Sequence, residues 1–172
     1  MEEKNVPYFK QGTLYRCHVA SIRMILAKEG IEKSEEEIEE MLDFKVEEGA
    51  DLGKLQKFFD SLGFETFYSY ESKNSEEAFN KALQYLNNGF LIIPLLNRFV
   101  YDKKTPLIDK DVFWENENFS LHYVVKLKID ENQVYFHDPH EQIGSIKLDK
   151  ETFAKAWSFN LPWKYVFLAV KK

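Results

Sequence analysis

The sequence predicts an α+β protein with a helical half and a sheet half. Two patterns and one composition argue for it. Up to Gly89, most segments space their apolar residues at helical intervals and are bounded by a cap or a stopping glycine. Beyond it, short apolar or alternating runs separated by turn residues read as strands. A hydrophobic fraction of 44% and an aromatic fraction of 16% over 172 residues supply a sizeable core and argue against disorder. No repeat, low-complexity tract or linker interrupts the chain, so one domain over residues 1–172 is expected.

The elements follow in order. Cys17–Lys28 is predicted as an amphipathic helix, with Ala20, Met24 and Ala27 on one stripe and Gly30 as its stop. Ser34–Glu37, S-E-E-E, is a capping box opening a second helix to about Leu42. Its acids read as a solvated face with favourable helix-start charge rather than a metal site. Leu52–Leu62 is a third helix, stopped by Gly63, and Glu65–Tyr70 reads as a strand. Ser75–Leu86 is a fourth helix, closed by N-N-G, and Phe90–Leu96 is a buried strand. Leu121–Ile129 alternates, with Tyr123, Val125, Leu127 and Ile129 on one face. Strands at Val134–Asp138 and Ser145–Leu148, a helix at Lys150–Trp157 and a strand at Tyr165–Val170 complete the chain. A cleft is expected between the helical half and the sheet half.

Cys17 is the only cysteine, so it has no intramolecular disulfide partner and cannot alone build a thiolate zinc cage. It is either a small buried hydrophobe or a nucleophile. At a helix N-terminus the dipole favours thiolate over thiol. Gln11, six residues upstream, has a side-chain N–H suited to an oxyanion.

A nucleophile needs a base. His122 starts the alternating strand, on the face opposite Tyr123 and Val125. Asp138 ends the next one, and Pro139 prevents that strand from continuing as a central one. If a turn near Asp130–Asn132 joins the two as neighbours, His122 and Asp138 lie side by side, as a base and its orienting carboxylate must. Each residue alone has a plainer reading: His122 as a strand-end surface residue, Asp138-Pro139 as turn chemistry. His137 and His140 flank Asp138 and, with His18 or His122, suggest a metal site. Strand alternation, however, points His137 away from Asp138, so no metal is expected.

Composition excludes other classes. A net charge of −6, with no basic stripe, disfavours a nucleic-acid partner. No G-x-G-x-x-G phosphate loop is present and no cofactor is expected. Trp114, Trp157 and Trp163 read as core or cleft wall. The start lacks the apolar stretch of a signal peptide, and Phe90–Leu96 is far shorter than the roughly 20 residues of a membrane span. A soluble, cytoplasmic protein with no membrane partner is therefore expected, where a lone cysteine stays reduced.

The order Gln, Cys, His, Asp, with V-P-Y-F-K-Q before the cysteine, H-Y-V-V at the histidine, H-D-P at the aspartate and S-I-K-L-D-K-E-T-F-A-K-A-W after it, resembles the C39-like branch of papain-like cysteine peptidases. The resemblance runs from about Val6 to Trp157. It implies a papain-like fold and a peptide or protein substrate. It also implies Cys17 as nucleophile, His122 as base, Asp138 as its orienting group and Gln11 in the oxyanion hole. Two features depart from the pattern. His18 stands where glycine usually follows the cysteine, and Arg98–Ser120 is longer than a simple family loop, as a lid or substrate-selecting wall would be. The expected activity is a thiol hydrolase that cleaves a peptide or amide bond. An acyltransferase using the same thioester, or a catalytically silent peptide-binding module, are the alternatives.

Overall fold

The computed structural model describes residues 5–13, 16–43, 51–70, 72–101, 121–140, 144–158 and 164–172. Most of the long connection after Arg98, with Trp114, lies outside them, as does Trp163. The elements run α1 (Cys17–Lys28), α2 (Glu35–Leu42), α3 (Leu52–Ser61), β1 (Glu65–Ser69), α4 (Ser75–Asn87) and β2 (Leu91–Asn97), with a 3-10 turn at Arg98–Val100. Then come β3 (Leu121–Tyr123), β4 (Val125–Ile129), β5 (Gln133–His137), β6 (Ser145–Asp149), α5 (Lys150–Trp157) and β7 (Phe167–Lys171).

Local chemistry explains the helix ends. The N–H groups of Ile31, Phe64 and Phe90 return to the carbonyls of Leu26, Phe59 and Tyr85 at 2.9, 3.1 and 3.0 Å. Each return crosses a glycine, Gly30, Gly63 or Gly89, at φ 79°, 73° or 82°, which a side chain would strain. Ser34, Asp51, Asn74 and Asp149 cap the starts of α2, α3, α4 and α5 with side-chain oxygens. Among the described helices, only α1 starts without a side-chain cap, so the positive end of its dipole is left open at Cys17.

The strands form two antiparallel sheets, one ordered β1-β7-β2-β3 and one ordered β4-β5-β6. The four-stranded sheet is covered on both faces. Ile93, Leu168 and Val170 pack with side chains of α1, α2 and α3, while Ile92, Leu96, Phe167 and Ala169 pack with α4 and α5. This double burial explains the near-continuous apolar runs of β2 and β7. Pro94 sits where β2 stops pairing with β7 and begins pairing with β3, a position where its missing N–H is tolerated. The expected division into a helical half and a sheet half is thus refined: α1 to α3 form the helical layer, and α4 and α5 back the sheet from its other face.

Three local expectations are corrected. The stretch 121–129 is two strands, β3 pairing with β2 and β4 with β5, so the chain changes sheets at Val124. The register also shifts between Val125 and Lys128, which reverses the side-chain parity. Tyr123 and Val125 therefore face the α1 side, while Ile129 packs with the opposite cluster. Helix α1 is not amphipathic but buried along most of its length, from Cys17 to Ile22 and from Met24 to Leu26. Finally, Glu35 in the acidic run is buried rather than solvated.

Trp157 anchors the cluster behind the sheet. It is fully buried against Phe79, Phe153, Tyr165 and Phe167, and its Nε1–H donates to the Val166 carbonyl at 2.9 Å. Trp157→Ala should cost about 3–5 kcal/mol in urea unfolding. Trp157→Phe, which strands the carbonyl but keeps an aromatic ring, should cost about 1–3 kcal/mol.

Candidate active site

Cys17, His122 and Asp138 come from three elements and meet where the two sheets part. Cys17 is the first residue of α1, His122 lies in β3 beside Leu96 of β2, and Asp138 follows the last residue of β5. His122 Nε2 donates to Asp138 Oδ1 at 2.5 Å. That leaves Nδ1 as the ring nitrogen available to the Cys17 thiol. The expected juxtaposition of His122 and Asp138 is present, but by another route than a simple hairpin. The crossing at Val124 brings the end of one sheet to the end of the other.

All three groups are buried, and their charges shape one another. Burial pushes the Cys17 thiol up, but hydrogen bonds and charge from His122 and His18 outweigh it and hold the thiol at about 5. Burial alone would lower His122. The charge and hydrogen bond of Asp138, together with Cys17, instead raise it to about 9. Asp138, fully buried, is held at about 2 against its burial by His122, Arg98 and the His140 backbone N–H. Between pH values of about 5 and 9 the arrangement therefore favours thiolate and imidazolium together.

Asp138 carries more partners than its sequence context suggested. Oδ1 also accepts from His140 N at 2.8 Å, while Oδ2 accepts from the Tyr101 hydroxyl at 3.0 Å and lies 3.7 Å from Arg98 Nε. Burial and the neighbouring Asp138 charge push the Tyr101 phenol well above its ordinary value, so it stays a donor. Sequence reasoning placed Arg98 and Tyr101 at the start of a lid or wall, whereas both are packed against the carboxylate. The available signal was a charge, Arg98, directly following a buried strand. The rest of that connection lies outside the described residues.

Gln11 is buried in the segment before α1. Its backbone N–H donates to the Pro139 carbonyl at 2.9 Å, and one side-chain N–H donates to the Thr13 carbonyl at 2.7 Å. Its Oε1 is buried and accepts nothing from the described residues. No hydrogen bond among the described residues joins Gln11 to Cys17 directly. The other two histidines serve elsewhere. His137 Nε2 donates to the Val6 carbonyl at 3.0 Å, and its ring lies 5.7 Å from that of Tyr8, which holds the segment carrying Gln11 against β5. His140 contributes its backbone N–H to Asp138.

Comparison with known proteins follows the same lines. Residues 3–160 match the model of the peptidase C39-like family. The chain is similar to a protein from Bacillus anthracis described as a C39-like peptidase, at 20% identity, covering 99% of this chain and 96% of that one, with a TM-score of 0.66. It is similar to the peptidase domain of Streptococcus ComA, a bifunctional ABC transporter involved in a quorum-sensing pathway, at 16% identity, with 96% and 98% covered and a TM-score of 0.65. A double-glycine-motif protease from an AMS/PCAT transporter, solved in complex with its leader peptide, aligns at 19% identity over 98% and 94% of the two chains, with a TM-score of 0.62. At these identities the solved structures establish the papain-like α+β fold. No curated protein sequence matches.

The reactivity of the thiol follows from the interactions that lower it. With a single cysteine, every adduct of a substoichiometric alkylator reports on Cys17. The rate should climb as pH rises through about 5, where the thiolate forms, rather than near the free-thiol value of about 8.5. His18→Gly should move that inflection upward with the protein still folded. An unchanged inflection would remove His18 from the thiol's electrostatics.

Proposed function

This chain belongs to the peptidase C39-like family, and we propose that it is a thiol peptidase acting through Cys17, His122 and Asp138. The observation that carries the reading is the position of His122. It lies between a buried carboxylate and a thiol at the open N-terminus of α1.

Cys17 Sγ, as thiolate, attacks the carbonyl carbon of a peptide or amide bond, and the carbonyl electrons move to oxygen. The Cys17 backbone N–H and the second side-chain N–H of Gln11, the first being given to Thr13, stabilise that oxyanion. His122 gives its Nδ1 proton to the leaving amine as the tetrahedral intermediate collapses to a thioester. Water then attacks the thioester, His122 takes its proton, and the acid product leaves with the thiolate restored. Asp138 stays ionised throughout and holds the imidazole in one orientation and tautomer. Together with the attacking water, these residues supply every proton and electron pair in this cycle.

A peptide or protein is the substrate class we propose, in keeping with the leader peptide held by one structural neighbour. Among the described residues no helix is long and apolar enough to cross a membrane. A reducing cytoplasmic setting suits a lone thiol, and residues 1–172 are proposed to act as one domain. The silent-module alternative needs a thiol of ordinary reactivity, which the lowering of the Cys17 thiol disfavours. An acyltransferase would share every step up to the thioester.

Cys17→Ala should lower turnover of a peptide substrate by about 10⁴ or more, and His122→Ala by nearly as much, with little further loss on combining them. Asp138→Asn should cost less than or about as much as His122→Ala while the fold is kept. Product analysis with a competing amine separates hydrolysis from acyl transfer. A folded His122→Ala protein with full activity would refute the assignment of the base.

A further inference from the structure

Glu35 is a carboxylate with an unexplained position. As the first residue of α2 it would favour the helix dipole equally well in water. Instead its side chain is only 8% exposed. Burying a carboxylate is costly unless its partners are well placed.

Its partners lie on either side of the proposed chemistry. The backbone N–H of Gly12, the residue after Gln11, donates to both Glu35 oxygens at 3.2 and 3.1 Å. The guanidinium of Arg16, the residue before Cys17, donates to Oε2 at 3.2 Å. Arg16 is in turn gripped by Glu39 through two bonds of 2.7 Å and by Glu36 at 3.2 Å. One carboxylate therefore ties the backbone of Gly12, next to Gln11, to the side chain of Arg16, next to Cys17. The Thr13 carbonyl makes a second tie, accepting from the Gln11 side chain at 2.7 Å and from Arg16 N at 3.2 Å. On its other side Gln11 is held by Pro139. Gly12 fits the same account through space rather than backbone freedom: a Cβ there would lie 2.6 Å from Glu35 Oε2.

We propose that Glu35 is a positioning residue for the reaction, setting the Gln11 amide against Cys17 by clamping Gly12 and Arg16 together. The inference rests on the proposed oxyanion role of Gln11. Glu35 touches neither substrate nor reacting atoms. It acts through Gln11, whose donor stabilises charge only if aimed at the oxyanion.

The test is a kinetic cycle with Gln11, read beside the pH profile of Cys17 alkylation. Glu35→Gln removes the charge that holds Arg16 at nearly constant shape. It should lower kcat by about ten- to hundredfold with little change in KM, the size expected for a misplaced catalytic group. The alkylation inflection should stay in place, because His122 and Asp138 are held by other elements. In a Gln11→Ala background, Glu35→Gln should cost no more than about twofold further, since the group it positions is gone. Gly12→Ala, which crowds the same carboxylate without removing it, should behave as Glu35→Gln does and stands in for it if that variant fails to fold. Parent-like kcat in both Glu35→Gln and Gly12→Ala beside a slow Gln11→Ala overturns the inference alone. So does full additivity with Gln11→Ala, or an alkylation profile that shifts along with kcat. Parent-like kcat in Gln11→Ala overturns the oxyanion role, and this inference with it.

Discussion

A full negative charge at Asp138, with no exposure to water, is the constraint around which this end of the molecule is organised. An ionised carboxylate in the interior is tolerable only when hydrogen bonds and opposite charge replace its hydration. Here His122, the His140 backbone N–H and the Tyr101 hydroxyl are bonded to it, and Arg98 stands close by. These groups arrive from three segments: β3, the turn after β5, and the 3-10 turn after β2, which brings Arg98 with Tyr101 just behind it. The carboxylate thus joins the edge of one sheet to the end of the other. It also orients the imidazole, because a ring whose Nε2 is committed to Asp138 can present only Nδ1 to Cys17. Structural and proposed catalytic demands on this group therefore coincide.

The helical side reaches the same point through a different device. Helix α1 is buried along most of its length and starts without a side-chain cap, so Cys17 sits at the open end of its dipole. The segment before it is tied down instead by contacts distant in sequence: Val6 to His137, Gln11 to Pro139, and Gly12 to Glu35. The two sides of the site are held in register by hydrogen bonds between backbone groups and buried side chains.

Local readings succeeded where the responsible physics is local. A capping box at Ser34 and glycine stops at Gly30, Gly63 and Gly89 are short-range hydrogen-bond and φ requirements, so they are visible in a few consecutive residues. The parity of 121–129 is not legible in the sequence, because a register shift between Val125 and Lys128 leaves no compositional trace. The burial of Glu35 is not visible in its acidic run, because its partners Gly12 and Arg16 lie about twenty residues away. The support that Arg98 and Tyr101 give the carboxylate is not legible locally, because Asp138 lies some forty residues further on.

By itself, the sequence determined the class of the fold and the identity of the four side chains worth watching, Gln11, Cys17, His122 and Asp138. A lone cysteine at a helix start, with a histidine and an aspartate at strand ends, restricts the chemistry through residue type and order. Only the tertiary structure decided what surrounds them: His18 as well as His122 lowering the thiol, an arginine and a tyrosine behind the aspartate, and a buried glutamate linking the segments next to Gln11 and Cys17. Helix and strand periodicity reports which face of an element is buried. It carries no information about which distant charged group meets that face, and buried charges are stabilised by just such long-range pairings.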